Sequence, residues 1–112
     1  MTTLVPVKDR IRIWNDHLRQ FHRGGQVLLT QGLASLDQVT QAKILKAVAD
    51  FDAFTKDNDP HGEHDCAILS VDGHRIMFKI DYYDRSMLYA SEDPADPKKT
   101  IRVMTVMLTE EY

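Results

Sequence analysis

The chain has a single cysteine, Cys66, among its 112 residues. No internal disulfide can form, and zinc sites built from several thiolates are excluded. An excess of positive charge is also lacking, with 14 Lys and Arg against 17 Asp and Glu. The net charge is −3 and the isoelectric point is near 5.9. That opposes bulk nucleic-acid binding, which usually needs net positive charge or a strong basic patch. No apolar run approaches membrane-spanning length, and MTTLVPVKDR lacks the apolar stretch of a signal peptide. A cytoplasmic protein with no membrane partner is expected. Phosphate-cradling loops are missing too: Gly24-Gly25 has neither the lysine and spacing of a P-loop nor a dinucleotide pattern. There is no GxSxG elbow, no HExxH helix and no repeat with the period of a structural unit.

What is present is a core's worth of apolar residues. They make up 43% of the chain, beside 28% charged residues of mixed sign. The length fits one domain, residues 1–112, that needs neither metal nor disulfide to fold. Residues 7–23 have helical periodicity, with Val7, Ile11, Trp14, Leu18 and Phe21 on one stripe. Pro6 suits the first turn and Gly24-Gly25 the end. QVLLT (26–30) reads as a short buried strand. Ser35-Leu36-Asp37-Gln38 fits a capping box opening a second helix to about residue 55, with Leu36, Ile44, Ala47, Val48, Phe51 and Phe54 on one side. KDNDPHG breaks it.

CAILSV and HRIMFKI flank Asp72-Gly73, the dipeptide of type I′ hairpins, which predicts strands at about 65–71 and 74–82. SEDPADPKK (91–99) is a loop. TIRVMTVML (100–108) is rich in β-branched residues and is read as a strand, although Asp96-Pro97 also fits a helix start. The order α-β-α-β-β-β predicts an α+β fold with two helices packed on one face of a small antiparallel sheet.

Counting outward from Asp72-Gly73 pairs Val71 with His74, Ala67 with Phe78 and Cys66 with Lys79. One face then carries Ala67, Leu69, Val71, Ile76, Phe78 and Ile80 and belongs to the core. The other carries Cys66, Ile68, Ser70, Arg75, Met77 and Lys79. The same count sets His64 opposite Asp81, close enough for a hydrogen bond.

The decapeptide DNDPHGEHDC (57–66) has two readings. As a metal site it would use His61 and His64 with Asp65 or Asp81, giving a small metal-assisted hydrolase or nuclease. As a turn, Asp57 and Asp59 would bond backbone amides while Pro60 and Gly62 shape the bend. The turn is preferred, because structural ion pairs cluster titratable groups as active sites do. A His64–Asp81 base, with Cys66 nearby as nucleophile, is the catalytic alternative. Tyr82, Tyr83 and Tyr89, with Arg85 and Met87, are residue types enriched at protein interfaces. Lys8, Arg12, Arg19 and Arg23 share one angular position on the first helix, a basic stripe that would contact phosphate or simply face solvent.

DAFTKDNDPHGEHD, KIDYYDRSMLYASEDPADPKKT and RVMTVMLTEEY resemble a small bacterial family of unknown function, from the first helix to the final EEY. The matching motif positions are Glu63, His64, Asp65, Lys79, Asp81, Tyr82, Tyr83 and Asp84. Cys66-Ala67 stand where the family has Phe-Gly, which argues against a family-wide Cys66 nucleophile. The resemblance implies a mobile-element accessory protein and supplies no reaction or cofactor. The leading expectation is a non-enzymatic protein-binding module, without cofactor or metal. By analogy it would inhibit a host defence directed at nucleic acid, of restriction or CRISPR type. Its surface would comprise Glu63, His64, Lys79, Asp81, Tyr82, Tyr83, Asp84 and Tyr89. Homodimerisation through a sheet edge is a further expectation.

Overall fold

A computed structural model describes residues 5–112, so the first four residues of MTTLVPVKDR lie outside the described residues. The elements are α1 (Val7–Phe21), β1 (Gln26–Leu29), α2 (Gln31–Ala34), α3 (Gln38–Asp50), β2 (Cys66–Val71), β3 (His74–Tyr83) and β4 (Ile101–Leu108), with a closing 3-10 turn, Thr109–Glu111. The class is α+β, as the element order predicts. Among the described residues no helix is long and apolar enough to cross a membrane.

The sheet order is β1-β4-β3-β2. Asp72 and Gly73 both have positive φ, 50° and 82°, the type I′ geometry that matches strand twist. The hairpin register follows the count from that turn, from Val71↔His74 to Cys66↔Lys79. The sheet is not purely antiparallel, however: β1 runs parallel to β4. β3 occupies one edge of β4, and the four-residue β1 takes the other. That pairing spans more than seventy positions in sequence, so no local pattern announces it.

Leu18 and Leu33 pack with Ile44 and Val48 over Ala67, Ile76, Phe78, Ile80, Met104 and Val106 to form the core. Each of these side chains other than Ala67, fully buried, contributes roughly 1.5–3 kcal/mol. The buried stripe of α1 differs from the apolar one expected. Val7 and Phe21 are 54% and 61% exposed, while Asn15 and Arg19 are 0% and 2% exposed. α1 ends at Phe21; His22 caps it, its N–H donating to Leu18 O and its left-handed backbone turning the chain out of the helix two residues before the glycines. Gly25 is still required, since a Cβ there would lie 2.4 Å from the Arg102 carbonyl oxygen of β4.

The second expected helix is shorter and differently capped. Asp37, not Ser35, caps α3, its Oδ1 accepting from Thr40 N at 3.0 Å. Ser35 sits one turn earlier and donates to Gly32 O. α3 stops at Asp50, and Phe51 and Phe54 continue in extended chain that packs edge-on against Phe78. Their helix-like spacing reflects a shared aromatic contact rather than a helical turn. At the other end Glu111 fastens the end of β4 to α2, accepting from Thr30 Oγ1 at 2.6 Å and Gly32 N at 2.9 Å. The Thr30 hydroxyl, above all, lowers the Glu111 carboxyl pKa.

Candidate functional site

The decapeptide folds as a turn built around Asp59. Thr55 and Asn58 bond to each other's side chains and backbone, and Asp59 N donates to Thr55 O. The buried Asp59 carboxylate then accepts from the amides of Glu63 and His64. Asp59 thus plays the amide-binding part foreseen for the turn, with Asn58 rather than Asp57 supplying the second side chain.

His64 departs from the sequence expectation. Its backbone is left-handed, φ 56°, so the strand alternation that sets it opposite Asp81 stops one residue short. Its ring turns to the helix side and stacks on Phe54, with centroids 3.9 Å apart and planes within 5°. Nδ1 lies 2.8 Å from Asp16 Oδ1. A carboxylate only accepts, so Nδ1 carries the proton. Nε2 is 3.7 Å from Asp59 Oδ2, within ion-pair range but beyond a hydrogen bond. Asp81 instead pairs with Lys79 at 2.7 Å, two residues away on the open face of the sheet. The Lys79 pKa is raised by that bond. The His64–Asp81 base therefore does not form, and Cys66 lies on the face opposite the His64 ring.

Asp16 links His64 to Arg19, whose Nη2 donates to the same Oδ1 at 2.8 Å. Arg19 Nη1 reaches Val48 O, Ala49 O and Phe51 O at 2.8–3.0 Å, closing the carbonyl end of α3 with a cation. Its guanidinium lies over Phe54 and Phe78, at 5.3 and 5.8 Å from their centroids. The basic stripe is consequently broken. Arg19 is buried, and Arg12 is tied to Asp9 at 2.7 Å. Lys8 and Arg23 alone of the four are exposed without that qualification. The expected stripe misplaced Arg19 because a helix face that mixes Asn15 and Arg19 with Ile11 and Leu18 reads as partly polar.

A second chain of bonds runs beside the first. Arg102 Nε donates to Asn15 Oδ1 at 2.7 Å, and Asn15 Nδ2 donates to Tyr82 Oη at 2.8 Å and Glu63 O at 3.0 Å. Tyr82 Oη donates to Glu63 Oε1 at 2.7 Å. Burial, and then the bond to Glu63, push the Tyr82 phenol pKa well up. Burial lowers that of Arg102, which lies over the Tyr82 ring and also donates to Pro94 O. Glu63, His64 and Tyr82 thus belong to an internal polar seam between α1 and the sheet. They are not on the wet face expected for them.

The metal alternative does not assemble. Among the described residues no three histidine, cysteine, aspartate or glutamate side chains converge as ligands. His64 lines a groove of about 590 Å³ between the ends of α1 and α3, whereas Asp65 and Asp81 line a separate hollow of about 410 Å³ along β3. His61 is exposed on the turn. Burial raises the pKa of Asp65 and of the Cys66 thiol, and a raised thiol is a poor nucleophile.

Lys79, Asp81 and Tyr83 do lie together on the open face, paired to Thr105, Val103 and Ile101 of β4. The loop after β3 adds to them. Tyr83 bridges Ala90, and Asp84 N donates to Tyr89 O. The Asp84 carboxylate, its pKa lowered first by the Ser86 hydroxyl, also accepts from the amides of Leu88 and Tyr89. Met87 takes a left-handed conformation, φ 63°, to close this turn. Met87, Leu88 and Tyr89 emerge 41%, 74% and 71% exposed. Sequence composition marked Tyr89 and Met87; Leu88, the most exposed of the three, was not singled out, because a lone leucine is a core residue by type and only the turn shows it facing outward.

Comparison with curated proteins gives no match, and comparison with solved structures gives none. The family model described as "Protein of unknown function (DUF3768)" matches residues 29–111. The match takes in the Asp59 turn, the hairpin, β4 and the final Glu-Glu. It begins after α1, which supplies Asn15, Asp16 and Arg19 to the seam. With about three-quarters of its length matched, the chain belongs to the DUF3768 family.

Proposed function

We propose that the chain is a protein-binding module, without chemistry of its own, that recognises its partner through the loop Asp84–Ala90 and the adjoining open sheet face. One observation carries this reading: three consecutive large apolar side chains, Met87, Leu88 and Tyr89, are held outward by a turn fixed through Asp84. A left-handed non-glycine backbone costs of order 1 kcal/mol or more, and such strain concentrates at working sites. A preorganised aromatic anchor also loses little entropy on binding. Arg85, Lys98, Lys99, Asp84 and Glu92 border the loop; Lys99 pairs with Glu92 at 3.8 Å and Asp84 is engaged in its own turn, which leaves Arg85 and Lys98 as the excess of positive charge. The fitting partner is therefore a protein surface with an apolar hollow rimmed by carboxylates. The net charge of −3 favours protein over nucleic acid as the target. The finer expectation, an inhibitor of a host defence directed at nucleic acid, rests on analogy with small acidic proteins of mobile elements and is part of this proposal.

The test begins with a tagged chain in a bacterial host carrying a restriction or CRISPR system, scored by phage plating and by capture of the partner. Affinity for the purified partner is then measured by calorimetry for the native chain and for Leu88→Asp/Tyr89→Asp. Loss of affinity by a factor of ten or more, with the circular dichroism spectrum unchanged, supports the reading. Equal affinity of the double variant overturns it.

A further inference from the structure

We infer that two copies of this chain associate through β2, edge to edge and antiparallel, to give one continuous eight-stranded sheet across a two-fold axis. The sheet order leaves β2 at an edge. In a two-residue hairpin the closing pair is hydrogen-bonded, and bonded pairs recur at every second residue. Val71, Leu69 and Ala67 therefore bond to β3, and Ile80 N to Asp65 O at 2.7 Å continues the series. The amides and carbonyls of Cys66, Ile68 and Ser70 point away from β3, along the free edge. Exposed edges are normally guarded by charge, proline, a bulge or a covering element. CAILSV has no charge and no proline, and its register with β3 is unbroken.

The occupant is a second copy because the edge is complementary to itself. Ile68 pairs with Met77, and Met77 with Met107, on the open face. Setting Ile68 opposite Ile68 of the second copy makes a six-residue apolar row, symmetric about the axis. On the helix side the same register sets Ala67 against Leu69 of the second copy and extends the core. The neighbouring register would set Ile68, 50% exposed, against Ser70. Charge agrees with the antiparallel sense at one place, since Asp59 and Glu63 are engaged inside the chain. Asp65, on the helix side at the N-terminal end of β2, falls opposite Val71 of the second copy, next to Lys43, the cation that pairs with Asp72 at 3.1 Å. The two-fold axis repeats this contact at the other end, an isologous arrangement.

This interface is separate from the Leu88–Tyr89 surface, so either proposal can fail alone. The full chain should sediment as a dimer at micromolar concentration, and Ile68→Lys should sediment as a monomer with its circular dichroism spectrum intact. The register sets Cys66 opposite Ser70 of the second copy, about 5.5 Å apart at Cα, within disulfide reach. Within one chain the two are four strand positions apart, roughly 13 Å, and cannot bridge. Ser70→Cys should therefore give a covalent dimer under oxidised glutathione, while the native chain and Leu88→Asp/Tyr89→Asp should give a non-covalent one. A monomer at high-micromolar concentration overturns the inference. So does a dimer that survives Ile68→Lys, or one that Ser70→Cys fails to cross-link.

Discussion

On the helix side of the sheet, Asp16, His64, Arg19, Asn15, Tyr82 and Arg102 find one another. On the open face and in the loop after β3, Ile68, Leu88 and Tyr89 stand half or more exposed. The first region holds the residue types that catalysis uses, but apart from the buried Arg19 Nε their hydrogen bonds are spent on each other and on the end of α3. The second holds almost no catalytic chemistry and leaves apolar area uncovered. Satisfied polar groups stabilise a fold, whereas uncovered apolar groups are what a partner can cover. Proximity of titratable residues is thus a poor guide here, and lack of an internal partner is a better one.

If that contrast is right, the largest effects on stability come from the seam. Arg19→Met should destabilise by about 3–5 kcal/mol in urea unfolding, since it leaves the Asp16 carboxylate, two α3 carbonyls and that of Phe51 without their cation. Arg12→Met removes a surface pair with Asp9 and should change stability by less than about 1 kcal/mol. Equal effects would mean that Arg19 is no more than a solvated base. Tyr82→Phe comes next. It strips the hydroxyl between Glu63 and Asn15 and should cost about 1–3 kcal/mol. Combined with Glu63→Ala, it should cost less than the sum of the two single changes, because both break the same bond.

The two regions also differ in how well they can be read without coordinates. The hairpin was legible to the residue, because Asp72-Gly73 fixes both turn type and register and the period-two alternation extends from it. It ceased to be legible at His64, where one left-handed residue reverses the side-chain direction. The seam was hidden because its members come from α1, the Asp59 turn, β3 and β4, and sequence gives no distance between them. Asp16 and Arg19 are three apart on a helix, a spacing that permits an ion pair, yet nothing local says that the pair is buried. The β1–β4 pairing was hidden for the same reason.

At the exposed loop the order of effects reverses. Leu88→Asp and Tyr89→Asp should shift the unfolding free energy by no more than about 0.5 kcal/mol, because neither side chain is buried. Partner affinity, measured by calorimetry, should fall by far more. A large loss of stability in either variant would show the loop to be part of the core's support and would erase the contrast.

Smaller than the loss of partner affinity at the loop is the effect of Asp65, which sits where the two regions meet. Its carbonyl accepts from Ile80 N, while its half-buried side chain borders the hollow along β3. Burial, and then the nearby charges of Glu63 and Asp59, raise its pKa above the ordinary value, against a lowering contribution from its own backbone bond. A folded-state pKa above the unfolded one means that the neutral carboxyl favours the fold. That stability is fully present below the unfolded pKa and is lost as pH rises through the folded one. Asp65→Asn keeps the shape and removes the charge. It should therefore raise the melting temperature at neutral pH, by the equivalent of less than about 1 kcal/mol once solvent screening is allowed for. Near pH 3, below the usual aspartate value, the two proteins should melt together. A variant that is less stable at neutral pH would show the ionised carboxylate to be held by a favourable contact, and would move Asp65 into the satisfied seam.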